Sequence, residues 1–255
     1  MQNKILPFIA LLLFLDSCQA QDTDILLIDQ LDKTFSVSKF YQSRLQKTNE
    51  ILSTDLKKMD KNAALKALET AMFEKDTLAF YASEGRLPSD FYLESTNDWM
   101  SRKKKPVKYF GYQYKTVAYD EAKDTLAIVN TVAFPSLDMA ENNKGEFSYL
   151  RASKASRNKK DFSNLLSFLQ KNSKRIPIED SSSEEVSCWE NKNFYYILSK
   201  KDGKEEEILS YDHSGNKNSK MIEISNIRLN VYSKEYIQTL GKEKSYIPEY
   251  IPAPK

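Results

Sequence analysis

The chain has 255 residues, 40 % of them hydrophobic and 29 % charged, which is enough to build a globular core without disulfide or metal staples. Its 38 Lys and Arg against 36 Asp and Glu leave a formal net charge of +2, so the strongly basic footprint of a nucleic-acid binder is absent. One His excludes multi-His metal centres and two Cys exclude zinc ribbons. With 6 Gly and neither G-x-G-x-x-G nor G-x-x-x-x-G-K-[ST], there is no phosphate cradle, and no cofactor or metal is expected.

The first 20 residues read as an export signal. Lys4 supplies a positive start, and residues 5–15 form an apolar run broken only by Pro7. That run has the length of a signal h-region and falls well short of the roughly 20 residues that span a bilayer. Cys18-Gln19-Ala20 ahead of Gln21 offers small residues at the positions read by an ordinary signal peptidase. The run Leu15-Asp16-Ser17-Cys18 resembles a bacterial lipobox, with Asp16 where a small apolar residue is usual. The resemblance implies that Cys18 is the lipid attachment site and that the mature protein is a membrane-anchored lipoprotein of the cell envelope. The other cleavage leaves it periplasmic or secreted. Acyl chains anchor firmly because each buried CH₂ contributes about 0.8 kcal/mol.

Residues 21–255 read as one domain. Val37, Tyr41, Leu45, Leu52, Leu56 and Met59 recur near a helical period. A second helix is expected to carry Ala64, Leu65, Leu68, Ala71 and Met72 on one face, ending before Gly85 and Pro88. Together these predict a helical hairpin. Residues 99–108 form a basic link. The period then changes to two, with Phe110, Tyr112, Tyr114 and Thr116 alternating with polar residues. Leu126, Ile128, Val132 and Phe134 answer them as the second arm of a β-hairpin.

Residues 135–160 are polar and read as a long loop. Asp161 is placed to cap a third helix whose apolar face is Phe162, Leu165, Leu166 and Leu169, stopped by Pro177. An acidic loop follows at 179–185. Residues 194–199 and 206–211 flank Lys201-Asp202-Gly203-Lys204, and an Asp-Gly pair between apolar runs signals a tight hairpin. A third strand from Met221 to Tyr232 completes a meander. Ser233 is placed to cap a short helix ending at Gly241. The order of helical hairpin, β-hairpin, third helix and three-stranded antiparallel meander predicts an α+β fold.

Chemistry is thinly marked. His213 lies in a polar turn, and Cys188 sits beside Trp189 as a small buried hydrophobe without a neighbouring base. Arg102, Lys103, Lys104, Lys105 and Lys108 concentrate charge that suits an anionic surface. Trp99, Phe110, Tyr112 and Tyr114 are candidates for aromatic contact, the last three as a sugar-stacking platform. The residues therefore favour a non-catalytic binding or interaction module whose partner is an envelope protein or glycan. The alternative is a carboxylate-dependent hydrolase of envelope or extracellular glycans, which needs two converging carboxylates.

The lipobox resemblance has a direct test. Cys18→Ser should move the protein from the membrane fraction to the soluble one. A variant that still sediments with membranes, or a mature chain beginning at Gln21, would contradict lipid attachment.

Overall fold

The structure is a computed structural model that describes residues 25–55, 58–68, 70–85, 87–178, 184–211 and 217–254. The leader with Cys18, the loop at 179–183 and His213 lie outside these residues. Among the described residues the fold is mostly β, 45 % strand against 22 % helix, and this overturns the α+β expectation. Its centre is a nine-stranded antiparallel sheet in the order β3-β2-β4-β7-β8-β12-β11-β10-β9, accompanied by a three-stranded sheet β1-β5-β6.

The predicted helical hairpin is replaced by one long helix, one short helix and a strand. Helix α1 (Val37–Ser53) is followed by α2 (Lys61–Leu68), and at Met72 the chain becomes β2 (Met72–Ala82). The helical spacing of Leu68, Ala71 and Met72 was coincidental. Leu78-Ala79-Phe80-Tyr81 is a continuous apolar run because β2 is covered on both faces there. Next comes β3 (Phe91–Ser95), an edge strand on β2.

The predicted hairpin between residues 110 and 134 does not form. β4 (Lys108–Ala118) pairs with β2 on one side and with β7 (Ser136–Asn142) on the other. Residues 127–134 instead make the tight pair β5 (Ala127–Val129) and β6 (Val132–Phe134), turned through Asn130 at φ 54°. To these, β1 (Leu26–Leu27) adds in parallel. The segment 135–160, expected to be a loop, is mostly the β7–β8 hairpin, with β8 at Phe147–Ser156. Polar Asp138 and Arg151 alternate with Leu137, Met139, Leu150 and Ala152, which enter one core.

Helix α3 (Lys160–Asn172) is where expected, and Leu165 and Leu169 are buried. Asp161 is not its N-cap. Its buried carboxyl accepts from Lys154 Nζ, Ser156 Oγ and Asn158 Nδ2, each at 2.7 Å, and so ties the start of α3 to the end of β8. The helix ends at Asn172 and leads into β9 (Lys174–Ile176), before Pro177. β10 (Glu185–Glu190) returns beside it.

The Asp202-Gly203 turn is also absent. β11 (Phe194–Tyr211) runs straight through it for 18 residues, with Gly203 opposite Ile224 of β12 (Lys217–Ser233). Gly203 takes none of the positive φ that a primed turn requires. Two long strands therefore replace three short ones. Helix α4 (Lys234–Lys242) follows as anticipated, with Ser233 Oγ accepting from the Tyr236 N–H at 3.1 Å.

The two faces of the large sheet are covered by different material. On one side α1, α3 and the small sheet bury Tyr114, Leu137, Met139, Leu150, Leu198 and Leu229. Three hydrogen bonds fix α1 there. Tyr41 Oη donates to the Leu137 carbonyl at 2.6 Å. The Ser38 N–H donates to Glu141 Oε2 at 3.1 Å, and the Phe73 N–H to Thr48 Oγ1 at 3.1 Å. On the other side α4 and Ile251 of the C-terminal segment cover Leu78, Phe80, Phe110 and Ile197.

Two bulges let the strands serve both faces. Leu78 pairs with Gly111 and Ala79 with Tyr109, which leaves Phe110 as an extra residue in β4. Ser148 is the corresponding extra residue in β8. Phe110 and Tyr114, an even number of residues apart, consequently enter opposite cores. Gly111 permits the close approach at the bulge. A Cβ there would collide with the Glu141 carbonyl oxygen and lie 2.6 Å from the Asn142 backbone. Gly111→Ala should destabilise the fold by about 3 kcal/mol, as overpacking against immovable backbone does. Urea denaturation midpoints measure this, and an unchanged midpoint would refute the packing role.

Candidate functional site

A cleft of about 400 Å³ opens on the α4 side of the sheet. Its floor comes from β4, β7, β8 and β12. Its walls are α4, the segment around Tyr246 and Pro248, and the β2–β3 edge. Strand register builds the floor in two transverse rows. Asp138 pairs with Arg151, and Arg151 with Asn230, while the Thr116 N–H donates to Asp138 Oδ1 at 3.2 Å. Lys115, next to Thr116 on β4, also lines the cleft. One step along, Gln113 pairs with Ala140, Ala140 with Tyr149, and Tyr149 with Tyr232. Alternation along each strand sends these side chains to the α4 side while Leu137, Leu150, Leu229 and Val231 enter the opposite core.

The aromatic row continues into the wall. Tyr236 of α4 lies parallel to Tyr232, with ring centroids 6.3 Å apart and planes at 9°, and tilts against Tyr149 at 5.7 Å. Phe110 closes edge-on against Tyr236 at 5.6 Å. Such pairs contribute about 0.5–1.5 kcal/mol each beyond the area they bury, so the rings are held in place before any ligand arrives. Burial pushes the hydroxyls of Tyr149, Tyr232 and Tyr236 above the usual phenol range, so they remain neutral.

The polar row is less settled. Burial raises the Asp138 carboxyl above its usual value, opposed by the hydrogen bond from Thr116 and by the charges of Arg151 and Lys115. The carboxamide oxygen of Asn230 is buried and accepts no hydrogen bond from the described residues. A buried acceptor without a donor costs on the order of 1–3 kcal/mol unless something supplies one. The cleft therefore sets a carboxyl and a guanidinium side by side, next to fixed tyrosine rings, with the unmet acceptor buried in its floor.

The residues singled out from sequence fall elsewhere and are not brought together as a platform. Phe110 and Tyr114 are buried on opposite faces, so the stacking surface expected of Phe110, Tyr112 and Tyr114 does not exist. Tyr114 Oη donates to Glu141 Oε1 at 2.8 Å inside the α1 core. Tyr112 is 40 % exposed and lies beneath Lys75, whose ammonium is 3.9 Å from the ring centroid. Trp99, Lys103 and Lys105 are exposed. Lys104 pairs with Glu84 at 3.3 Å, Lys108 with Glu243, and Arg102 donates to the Asn97 carbonyl at 2.5 Å. Cys188 is buried, and burial pushes its thiol up to about 11. Glu206 and Glu207 carry ion pairs on the exposed β11–β12 ribbon, to Lys217 and to Lys220 and Arg157.

The cleft residues were missed because β7 and β8 were read as loop. The alternation Leu137-Asp138-Met139 and Leu150-Arg151-Ala152 was the available signal. Comparison with protein-family models, curated proteins and solved structures finds no match for this chain. Among the described residues no group of three or more His, Cys, Asp or Glu is placed to hold a metal ion, and no helix is long and apolar enough to cross a membrane.

Asp138 gives the cleft a pH signature. Its folded pKa lies above its unfolded value, so between the two the native state holds a proton that the unfolded chain has released. The stability this brings is complete below the unfolded pKa, about 4, and is lost as pH rises through the folded pKa. Relative to Asp138→Asn, the wild type should lose stability steadily as pH climbs above about 4. Denaturation of both proteins across a pH series measures the difference, and a difference independent of pH would contradict the assignment.

Proposed function

We propose that this chain is an exported, non-catalytic binding module of the bacterial cell envelope whose ligand is a glycan seated in the tyrosine-lined cleft. The observation that carries this reading is the in-register floor, in which Asp138, Arg151 and Asn230 lie beside Tyr149 and Tyr232. Sugars present apolar ring faces bordered by hydroxyls. Tyrosine rings match the faces, and a carboxyl and a guanidinium match the hydroxyls with both donors and acceptors. The rings and strands are fixed by their own packing, so little ordering is required on binding.

A second reading, a carboxylate-dependent glycan hydrolase, draws on Asp138 alone. A carboxyl raised by burial suits a general acid, and Asp98 also lines the cleft. The same panel of envelope glycans separates the two. Calorimetry should find a bound glycan whose affinity falls at least about tenfold in Arg151→Gln or Tyr232→Ala, with the fold retained. Absence of binding across the panel, or affinity unchanged in both variants, would refute the cleft as the site. Turnover that disappears in Asp138→Asn would replace the binding module with the hydrolase.

A further inference from the structure

The turn after β3 and the start of β4 build a second surface, independent of the cleft reading. The chain from Ser95 to Lys104 folds tightly on itself, with N–H donations from Asp98 to Ser95, from Ser101 and Arg102 to Asp98, and from Lys104 to Ser101. Buried Ser101 donates to Glu94 of β3, and its side chain also meets the Tyr81 hydroxyl. The Val107 N–H donates to the Phe80 carbonyl at 2.8 Å. The turn and the first residues of β4 are therefore pinned to one corner of the sheet around Tyr81.

What this rigid corner presents outward is unusual. Trp99 is 79 % exposed, Tyr109 63 % and Val107 59 %, three large apolar side chains within one short stretch of chain that the turn and the Val107 hydrogen bond hold to the same corner. Isolated exposed apolar residues need no explanation, but a grouped set rimmed by charge marks an interaction surface. The rim is cationic. Of the basic link, Lys104 and Lys108 are held in ion pairs, while Lys103 and Lys105 are exposed with no ion pair among the described residues. Arg102 is exposed too, with its Nε spent on the Asn97 carbonyl.

We propose that Trp99, Val107 and Tyr109 insert into the interface of an anionic phospholipid surface while Lys103 and Lys105 engage its headgroups. Trp and Tyr are the side chains that favour the headgroup level, because each has an apolar body and a polar tip. With no ion pair among the described residues, Lys103 and Lys105 complement the lipid charge directly. The seat needs no refolding, since Ser101, Glu94 and Val107 hold it.

The two tryptophans make the test direct. Trp189 is 4 % exposed inside the core and should not respond to lipid, so spectral changes report Trp99. The full chain carrying Cys18→Ser, which removes the acyl anchor, is mixed with vesicles of phosphatidylglycerol and phosphatidylcholine, or of phosphatidylcholine alone. Trp99 emission should shift to the blue and be quenched by brominated acyl chains in the anionic vesicles only, and Trp99→Phe should abolish both effects. Replacing Lys103 and Lys105 with Gln should weaken partitioning of the Cys18→Ser chain by roughly 30-fold at low salt, and less as salt rises. Unshifted Trp99 emission with anionic vesicles, or equal partitioning into both vesicle types, would overturn the proposal. A blue shift that grows with protein concentration without lipid would assign the patch to contact between copies and overturn it as well.

Discussion

At Gly111 the backbones of β4 and β7 come closer than any side chain allows, and much of the architecture depends on that approach. It accommodates the bulge that leaves Phe110 without a partner on β2. Without the bulge, strict alternation would send Phe110 and Tyr114 to the same face. With it, Tyr114 enters the α1 core and bonds Glu141, while Phe110 backs Tyr236 on the α4 side. One extra residue thus decides both how α1 is seated and how the aromatic wall of the cleft is braced. The matching bulge at Ser148 in β8 lies across β7 from it, which keeps the intervening strands in common register.

The cleft exists because the two faces of the sheet are unequally covered. The side carrying α1, α3 and the small sheet is a continuous core reaching from β2 to β12. The opposite side has only the nine residues of α4 and the C-terminal segment to cover a comparable width. Side chains left between them are therefore polar or aromatic, and strand register spaces them. Asp138 sits between cations on a partly dry floor, a position in which burial and Coulomb attraction oppose each other and burial prevails.

The β11–β12 ribbon follows a different rule. Beyond Lys200 and Ser225 neither strand pairs with a third strand among the described residues, so the distal ribbon rests on its own cross-strand pairs and on the ion pairs of Arg157 with Glu207 and Lys159 with Glu223. It is solvated on both faces, which accounts for the Glu and Lys density there and for ion pairs such as Lys217 with Glu206 and Lys220 with Glu207. These charges also blunt two open strand edges that would otherwise invite pairing with other chains.

Local signals that act over one turn were legible from the residues alone. Ser233 capping α4, the apolar face of α3 and the strand from Met221 to Tyr232 needed no partner to be recognised. The scarcity of His, Cys and Gly likewise bounded the chemistry before any fold was known. Long-range pairing was not legible. Asp202-Gly203 carries the sequence of a turn, yet lies flat because β12 offers a full-length partner. Leu68, Ala71 and Met72 carry a helical period, yet Met72 starts a strand because β4 is waiting beside it. Asp138, Arg151 and Tyr149 belong to the β7–β8 hairpin and Asn230 and Tyr232 to β12, far along the chain, and only the register of the three strands makes them one floor. Residue type and spacing determine local capping and amphipathicity, whereas which strand meets which, and hence which side chains share a face, is decided by the free energy of closing the whole sheet over its two cores.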